Sequence, residues 1–186
     1  DSATLLLGLR YFYNKNPCNS KKVTLKKIKE IGLKIGSDVP ACIVGKSLKL
    51  SGIGEKLEEI YISKNYKFLL IYPNKLLSTK KVFDSFNIKD EKKINPMYLN
   101  RIKIYNSLEF VSKSIEPEIN NVLNILKSFK KVVAFGMSGS GSTCFGIFKN
   151  SQDFINDGEF QRLKSKKNYF IWHGNKKEFG YNRFVY

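Results

Sequence analysis

The sequence predicts an α+β fold for this chain of 186 residues. Three observations lead to this prediction. Apolar residues recur at helical spacing in some segments, whereas in others they alternate or form short runs, and turn residues separate the two kinds of segment. The pattern contains hairpins as well as β-α-β steps, which favours α+β over an all-parallel sheet. The hydrophobic content of 42% is enough to build a buried core.

The first third of the chain is predicted to form three helices and a hairpin. Residues 2–13 and 24–35 show helical spacing of apolar side chains. Asp38 lies two residues before Pro40, and proline in a first turn is typical of a helix start, so a third, short helix is expected there. Residues 47–62 alternate around a Gly-Ile-Gly-Glu turn, which predicts a β-hairpin.

The rest of the chain is predicted to begin with a buried strand over residues 66–72, so we place a domain boundary between residues 62 and 63. Further elements follow in order: a helix over 78–86, a polar connection over 87–106, a helical region over 107–129 with a break at Pro117, a strand, a glycine-rich loop and a strand over 132–148, a helix over 151–164, and a strand over 169–172.

Charge and composition limit the possible functions. The chain has 33 basic and 16 acidic residues, a net charge of +17, which favours anionic ligands such as nucleotides, other phosphates or nucleic acid over cations. A solvated lysine surface is the alternative. Only four basic residues are arginines, which argues against sequence-specific reading of DNA. Three widely spaced cysteines and a single histidine indicate neither a disulfide framework nor a two-histidine metal site.

The segment with the strongest functional signal is the loop formed by Ser138, Gly139, Ser140, Gly141 and Ser142, between two apolar strands. Glycines allow backbone amides to approach a phosphate closely, and serine hydroxyls add donors with little bulk. The loop has neither the Gly-Lys-Ser/Thr ending of a Walker loop nor the spacing of a dinucleotide-binding loop. The alternative interpretation is a flexible hairpin loop.

Two further positions are candidates. Asp38, beside a glycine and a proline, is a candidate base or metal ligand, and an ordinary helix N-cap is the alternative. Thr79 and Phe83 are four residues apart on one face of a predicted helix. An aromatic side chain at that place can stack on a nucleobase, and core packing is the alternative.

Taken in order, these segments resemble the GHMP kinases. The resemblance rests on DSATLLLGL, IGLKIGSDVPACIVG, SGIGE, FLLIYPNKLLSTKKVF and MSGSGSTCFGIF, and it covers nearly the whole chain. It implies a two-domain GHMP kinase fold. Residues 1–62 would be the remainder of an S5 domain 2-like N-terminal nucleotide-binding domain, and residues 63–186 a ferredoxin-like C-terminal domain.

The resemblance also implies an activity: ATP-dependent phosphorylation of the 2-hydroxyl of a cytidine-diphosphate-linked methylerythritol, in non-mevalonate isoprenoid precursor biosynthesis, with Mg²⁺ screening the ATP oxygens. Asp38 matches the family's catalytic aspartate. Phe83 matches an aromatic that stacks on cytosine, and Ile53 and Thr79 match substrate-binding positions. Residues 138–142 match the glycine-rich loop near the transferred phosphate, which Asp38 is expected to face.

The chain departs from the family pattern at its start. The family's ATP phosphate loop, a catalytic lysine and a second cytosine-stacking aromatic should precede Asp1, so we expect the 186-residue chain to be truncated, inactive alone and weak in nucleotide binding. The expected partners are the small-molecule substrate and ATP, with no nucleic acid and no membrane. A cytoplasmic monomer or homodimer is expected. Another GHMP kinase acting on a different alcohol, and a non-catalytic basic RNA-binding module, are the rival functions.

Overall fold

The computed structural model describes residues 1–63, 65–87, 89, 96–99 and 101–175. The chain divides between Ile62 and Ser63 into two compact units. The C-terminal end of the predicted second domain, residues 176–186, lies outside the described residues. Within the described part, no helix is long and apolar enough to cross a bilayer.

The first unit contains three helices and a hairpin, and the predictions for these elements are confirmed. The elements are α1 (Ser2–Lys15), α2 (Leu25–Ile35), α3 (Val39–Val44), β1 (Leu48–Ser51) and β2 (Lys56–Glu59). Helix α2 begins where the Thr24 hydroxyl accepts a hydrogen bond from the amide of Lys27, the usual N-cap arrangement. The two strands pair antiparallel.

The core of the first unit is small. It is built on Ala3, Ile28 and Ile43, one from each helix, and a few half-buried apolar side chains pack around them. Leu5 and Phe12 of α1 are more than half exposed.

The second unit carries a four-stranded sheet with helices. Its elements are β3 (Lys67–Tyr72), α4 (Thr79–Ser85), β4 (Met97–Leu99), β5 (Ile102–Ile104), α5 (Glu109–Ile115), α6 (Glu118–Ser128), β6 (Ala134–Met137), β7 (Cys144–Phe148), α7 (Gln152–Ile155), α8 (Gly158–Ser165) and β8 (Phe170–Asn175). The large sheet has the strand order β6-β7-β3-β8, and every pairing in it is antiparallel.

This strand order is that of a ferredoxin-like fold. Without the small β4-β5 hairpin, the chain runs β-α-β-β-α-β through β3, β6, β7 and β8, and the first and third of these strands are central. Helices α6 and α8 cover one face of the sheet. Leu69 and Phe148 of the sheet, Leu126 of α6 and Phe160 of α8 are fully buried in the resulting core. The fold class predicted from the sequence is confirmed.

Two details of the second unit differ from the sequence-based expectation. The segment expected to be a polar connection over 87–106 contains the antiparallel hairpin β4-β5 in its described part. Strands of three residues are too short to show a clear alternation in sequence. The single helix expected over 151–164 is divided into α7 and α8, because Asp157 accepts a hydrogen bond from the amide of Glu159 and starts a new helix.

Candidate functional site

The glycine-rich loop connects β6 to β7 and is tightly turned. Gly139 and Gly141 have φ angles of +57° and +93°. Residues other than glycine rarely adopt this backbone conformation, because their Cβ atom is crowded there. The amide of Ser138 donates to the carbonyl of Thr143, and the amide of Gly141 donates to the carbonyl of Ser138. Among the residues that the structure describes, the amides of Gly139 and Ser140 have no hydrogen-bond acceptor. The loop thus presents free amide donors, as anion-binding loops do.

Helix α4 contacts this loop through its first residue. The hydroxyl oxygens of Thr79 and Ser140 lie 2.9 Å apart and share a hydrogen bond. The Ser78 hydroxyl caps the helix by accepting from the amide of Lys81, and Val82 is fully buried beneath it. The structure therefore brings together two sequence signals that are 61 residues apart in the chain.

Phe83 follows Thr79 by one helical turn. Its side chain is 58% exposed, so the alternative of core packing is wrong for this residue. Val82, its neighbour, is the side chain of α4 that packs inward. Phe83 is available for stacking on a flat ligand close to the glycine-rich loop.

Two residues that the sequence analysis missed hold the loop from the other side. The amide group of Asn106 donates to the carbonyl oxygens of Met137 at 2.9 Å and Gly139 at 2.7 Å. The hydroxyl of Ser112, which is fully buried, donates to the carbonyl of Ser140 at 2.9 Å. Both residues come from the segment that leads into and forms α5.

A local signal for Asn106 does exist in the sequence. Asn106-Ser-Leu-Glu109 has the spacing of a capping box. In the structure the N-cap of α5 is Leu108, and the Asn106 side-chain oxygen accepts from the Leu108 amide two residues later, as in an Asx turn. Such a pattern predicts a helix start and gives no indication that the amide nitrogen contacts a loop about 30 residues later. Ser142, included in the predicted phosphate loop, is buried, and its hydroxyl donates to the carbonyl of Lys75.

The first unit carries the other two predicted site residues. Asp38 is exposed at the N-cap position of α3, but its side chain makes no capping hydrogen bond, while Pro40 is buried in the first turn. Ile53 is 73% exposed in the β1-β2 turn. A Cβ atom on Gly54 would lie 2.2 Å from the carbonyl oxygen of Ser37, so the turn is packed against the segment that carries Asp38.

The structure thus groups the predicted residues in two sets. Asp38 and Ile53 lie near one another in the first unit, and Thr79, Phe83 and the loop of residues 138–142 lie together in the second. The expectation that Asp38 faces the loop stays a prediction.

Comparison with known proteins identifies the fold. Residues 92–157 match the family model described as GHMP kinases C terminal. A crystal structure of 4-(cytidine 5'-diphospho)-2C-methyl-D-erythritol kinase superposes on 93% of the chain and 62% of its own length, with a TM-score of 0.66 and 21% identity. The chain has the GHMP kinase fold. The homoserine kinase of Cytophaga hutchinsonii shares this fold, covering 86% of the chain and 59% of its own length, with a TM-score of 0.61 and 10% identity.

The sequence is also similar to curated proteins named 4-diphosphocytidyl-2-C-methyl-D-erythritol kinase. That of Clostridioides difficile (strain 630) is 31% identical over 95% of the chain, and that of Chelativorans sp. (strain BNC1) is 37% identical over 72% of it. That of Clostridium botulinum (strain Loch Maree / Type A3) is 39% identical over 80%. The chain spans between 48% and 62% of the length of these relatives.

Proposed function

We propose that the protein transfers the terminal phosphate of ATP to the 2-hydroxyl of 4-diphosphocytidyl-2-C-methyl-D-erythritol, a step of non-mevalonate isoprenoid precursor biosynthesis. The observation that carries the proposal is the hydrogen bond between Thr79 and Ser140. It joins a loop with free amides to a helix with an exposed aromatic, so a phosphate and a nucleobase can bind in the same unit. The similarity to curated kinases of that name, at 31–39% identity, supports the choice of substrate.

The loop of residues 138–142 is proposed to bind the phosphate that is transferred. Phosphoryl transfer requires mainly alignment of the reactants and neutralisation of the charge on the phosphate oxygens. The amides of Gly139 and Ser140 have no acceptor within the described residues, so they can donate to those oxygens without breaking an internal bond. Ser142, whose hydroxyl is bound to the Lys75 carbonyl, is proposed to support the loop.

Asp38 is proposed to accept the proton of the substrate hydroxyl. An aspartate that acts as base or orienter needs a carboxylate with a free oxygen within hydrogen-bond reach of the nucleophile. Asp38 is exposed and its carboxylate does not cap α3, and among the residues that the structure describes neither carboxylate oxygen has a hydrogen-bond donor. Ile53, exposed in the turn packed near Asp38, is proposed to contact the cytidine part of the substrate.

The proposed domain roles follow the same division. Residues 1–62 would belong to the nucleotide-binding domain and residues 63–186 to the C-terminal domain. Mg²⁺ is proposed to accompany ATP, since this ion is usually held by phosphate oxygens, waters and one or two carboxylates. The carboxylate of Asp38 is an oxygen ligand of the required type. A cytoplasmic location is proposed, which agrees with the free thiols of Cys18 and Cys42.

A coupled kinase assay on the full-length protein tests the substrate. We expect turnover with 4-diphosphocytidyl-2-C-methyl-D-erythritol and none with homoserine or mevalonate. Phe83→Ala is expected to raise the KM for the cytidine substrate about tenfold, because base–aromatic stacking contributes about 1–3 kcal/mol. Tyr98→Ala is the matched control, since Tyr98 is an aromatic of the same unit with a similar exposure of 61%.

Two outcomes would contradict the proposal. A preference for an alcohol without a nucleobase would favour another GHMP kinase activity on the same fold, such as that of the homoserine kinase neighbour. Salt-dependent RNA binding in the absence of kinase activity, unchanged by Phe83→Ala, would favour a basic RNA-binding module.

A further inference from the structure

Asn106 determines the orientation of two carbonyl groups in the glycine-rich loop. Its side-chain nitrogen donates to the carbonyl oxygens of Met137 and Gly139, the residues on either side of Ser138. Its side-chain oxygen is held in turn by the amide of Leu108. The amide group of Asn106 therefore has a defined orientation, and both of its polar atoms are used.

The direction of these carbonyls sets the direction of the free amides. The peptide between Gly139 and Ser140 is trans, so its C=O and N–H groups point in opposite directions. Because the Gly139 carbonyl is held by Asn106, the Ser140 amide must point away from Asn106. The same reasoning applies to the Gly139 amide, because the preceding carbonyl of Ser138 accepts from the amide of Gly141.

The Ser140 carbonyl is held as well. The buried hydroxyl of Ser112 donates to it, and the Ser140 hydroxyl is bonded to Thr79. With its carbonyl and hydroxyl both engaged, Ser140 keeps one free polar group among the described residues, its amide. A loop with these glycines could otherwise rotate the peptide after Gly139 and present a carbonyl oxygen, which repels an anion.

We propose that Asn106 is a positioning residue that keeps the Ser140 amide turned toward a bound phosphate group. This inference rests on the proposed function only for which phosphate compound binds at the loop. Asn106 acts through the loop, because both polar atoms of its side chain are bound within the protein. Ser112 holds the next peptide, between Ser140 and Gly141, by donating to the Ser140 carbonyl.

The variant Asn106→Asp tests this role with almost no change in side-chain size. It replaces the two donated hydrogen bonds by a carboxylate facing two carbonyl oxygens, which favours rotation of the peptide after Gly139. The matched control is Asn124→Asp, which makes the same change of charge. Asn124 is an exposed residue of α6 that lines the same cavity of about 460 Å³ as Asn106.

The first measurement is the affinity of the full-length protein for inorganic pyrophosphate. The NMR shift of the Ser140 amide on addition of pyrophosphate is the signal. In the wild type and in Asn124→Asp we expect this amide to shift on addition of pyrophosphate, with affinities that agree within about twofold. In Asn106→Asp we expect the affinity to fall about tenfold or more, since loss of one preorganised donor has large effects in anion-stabilising sites. Equal affinity in the two variants, or an unshifted Ser140 amide in the wild type, would overturn the inference.

The second measurement is kinetic. With 4-diphosphocytidyl-2-C-methyl-D-erythritol, Asn106→Asp is expected to lower kcat about tenfold or more and to change the KM of this substrate less than twofold, whereas Asn124→Asp leaves both unchanged. A rise in KM alone would contradict a role in orienting the amide. If the full-length wild type lacks kinase activity with this substrate, the proposed function fails, and the pyrophosphate measurement still decides the role of Asn106.

Ser112→Ala provides a second variant if Asn106→Asp does not fold, as judged by thermal unfolding. It removes the donor to the Ser140 carbonyl and leaves Asn106 intact. Because one of the two supports remains, we expect a weaker effect on pyrophosphate affinity, about threefold. Wild-type affinity in Ser112→Ala would then count against the inference.

Discussion

Gly141 links the conformation of the glycine-rich loop to the packing of the second unit, and Gly141→Ala is expected to be strongly destabilising. Its φ angle of +93° is unfavourable for alanine. A Cβ atom would also lie 2.9 Å from the sulfur of Met137, 3.2 Å from the Cδ1 of Ile119 and 3.3 Å from the Cδ2 of Leu77. These three side chains lie beneath the loop, so alanine is disfavoured by backbone strain and by crowding.

The magnitude follows from these two contributions. The left-handed backbone costs alanine about 1–2 kcal/mol, and overpacking a dense core costs about 1–3 kcal/mol. We therefore expect Gly141→Ala to lower the free energy of unfolding by about 2–5 kcal/mol. Gly139→Ala is the matched control, because Gly139 has a φ angle of +57° and no atom within 4 Å of a Cβ position. It should cost about 1–2 kcal/mol, from the backbone alone.

Urea unfolding followed by tryptophan fluorescence measures the difference. Trp172 is the single tryptophan of the chain and lies on β8, in the same sheet as β6 and β7, so it reports on the second unit. Equal stability of Gly141→Ala and Gly139→Ala would refute the reasoning, because the two variants differ in the space available to the added methyl group.

Two predictions concern titratable groups. Burial raises the pKa of the Cys144 thiol to about 12, so at pH 8 a thiol reagent should label Cys18 and Cys42 quickly and Cys144 only after unfolding; three fast thiols would contradict this. The hydrogen bond that Tyr169 donates lowers the pKa of Glu118, so the carboxylate contributes stability above its unfolded pKa and loses it as the pH falls through the folded pKa. Tyr169→Phe should therefore destabilise the protein at pH 7 and progressively less below about pH 4, in urea unfolding at several pH values; a difference independent of pH would contradict the assignment.

Much of the secondary structure could be predicted because it depends on local patterns. The amphipathic spacing of α2, the Thr24 cap and the proline of α3 are each contained within a few residues. The apolar run of β3 is equally clear. The division of the helix over 151–164 was missed because Asp157, within a segment of helical spacing, gives no indication whether it faces solvent or caps a new helix.

The candidate site was predictable only in part. The glycines of the 138–142 loop allow its positive φ angles, and the exposure of Phe83 was one of two open alternatives. The free amides depend on how the loop carbonyls are held, which the sequence does not show. The contribution of Asn106 could not be predicted, because its local pattern indicates only that a helix starts nearby.

By itself, the sequence determined the type and order of most elements, the position of the glycine-rich loop, and the resemblance to the GHMP kinases. Only the tertiary structure decided that Thr79 bonds to Ser140 and that Asn106 and Ser112 hold the loop carbonyls. The reason is physical: apolar periodicity records which side of an element is buried, and this depends on neighbours one or two turns away. A hydrogen bond between residues 30 or 60 positions apart depends on how strands and helices pack, and no local pattern encodes that arrangement.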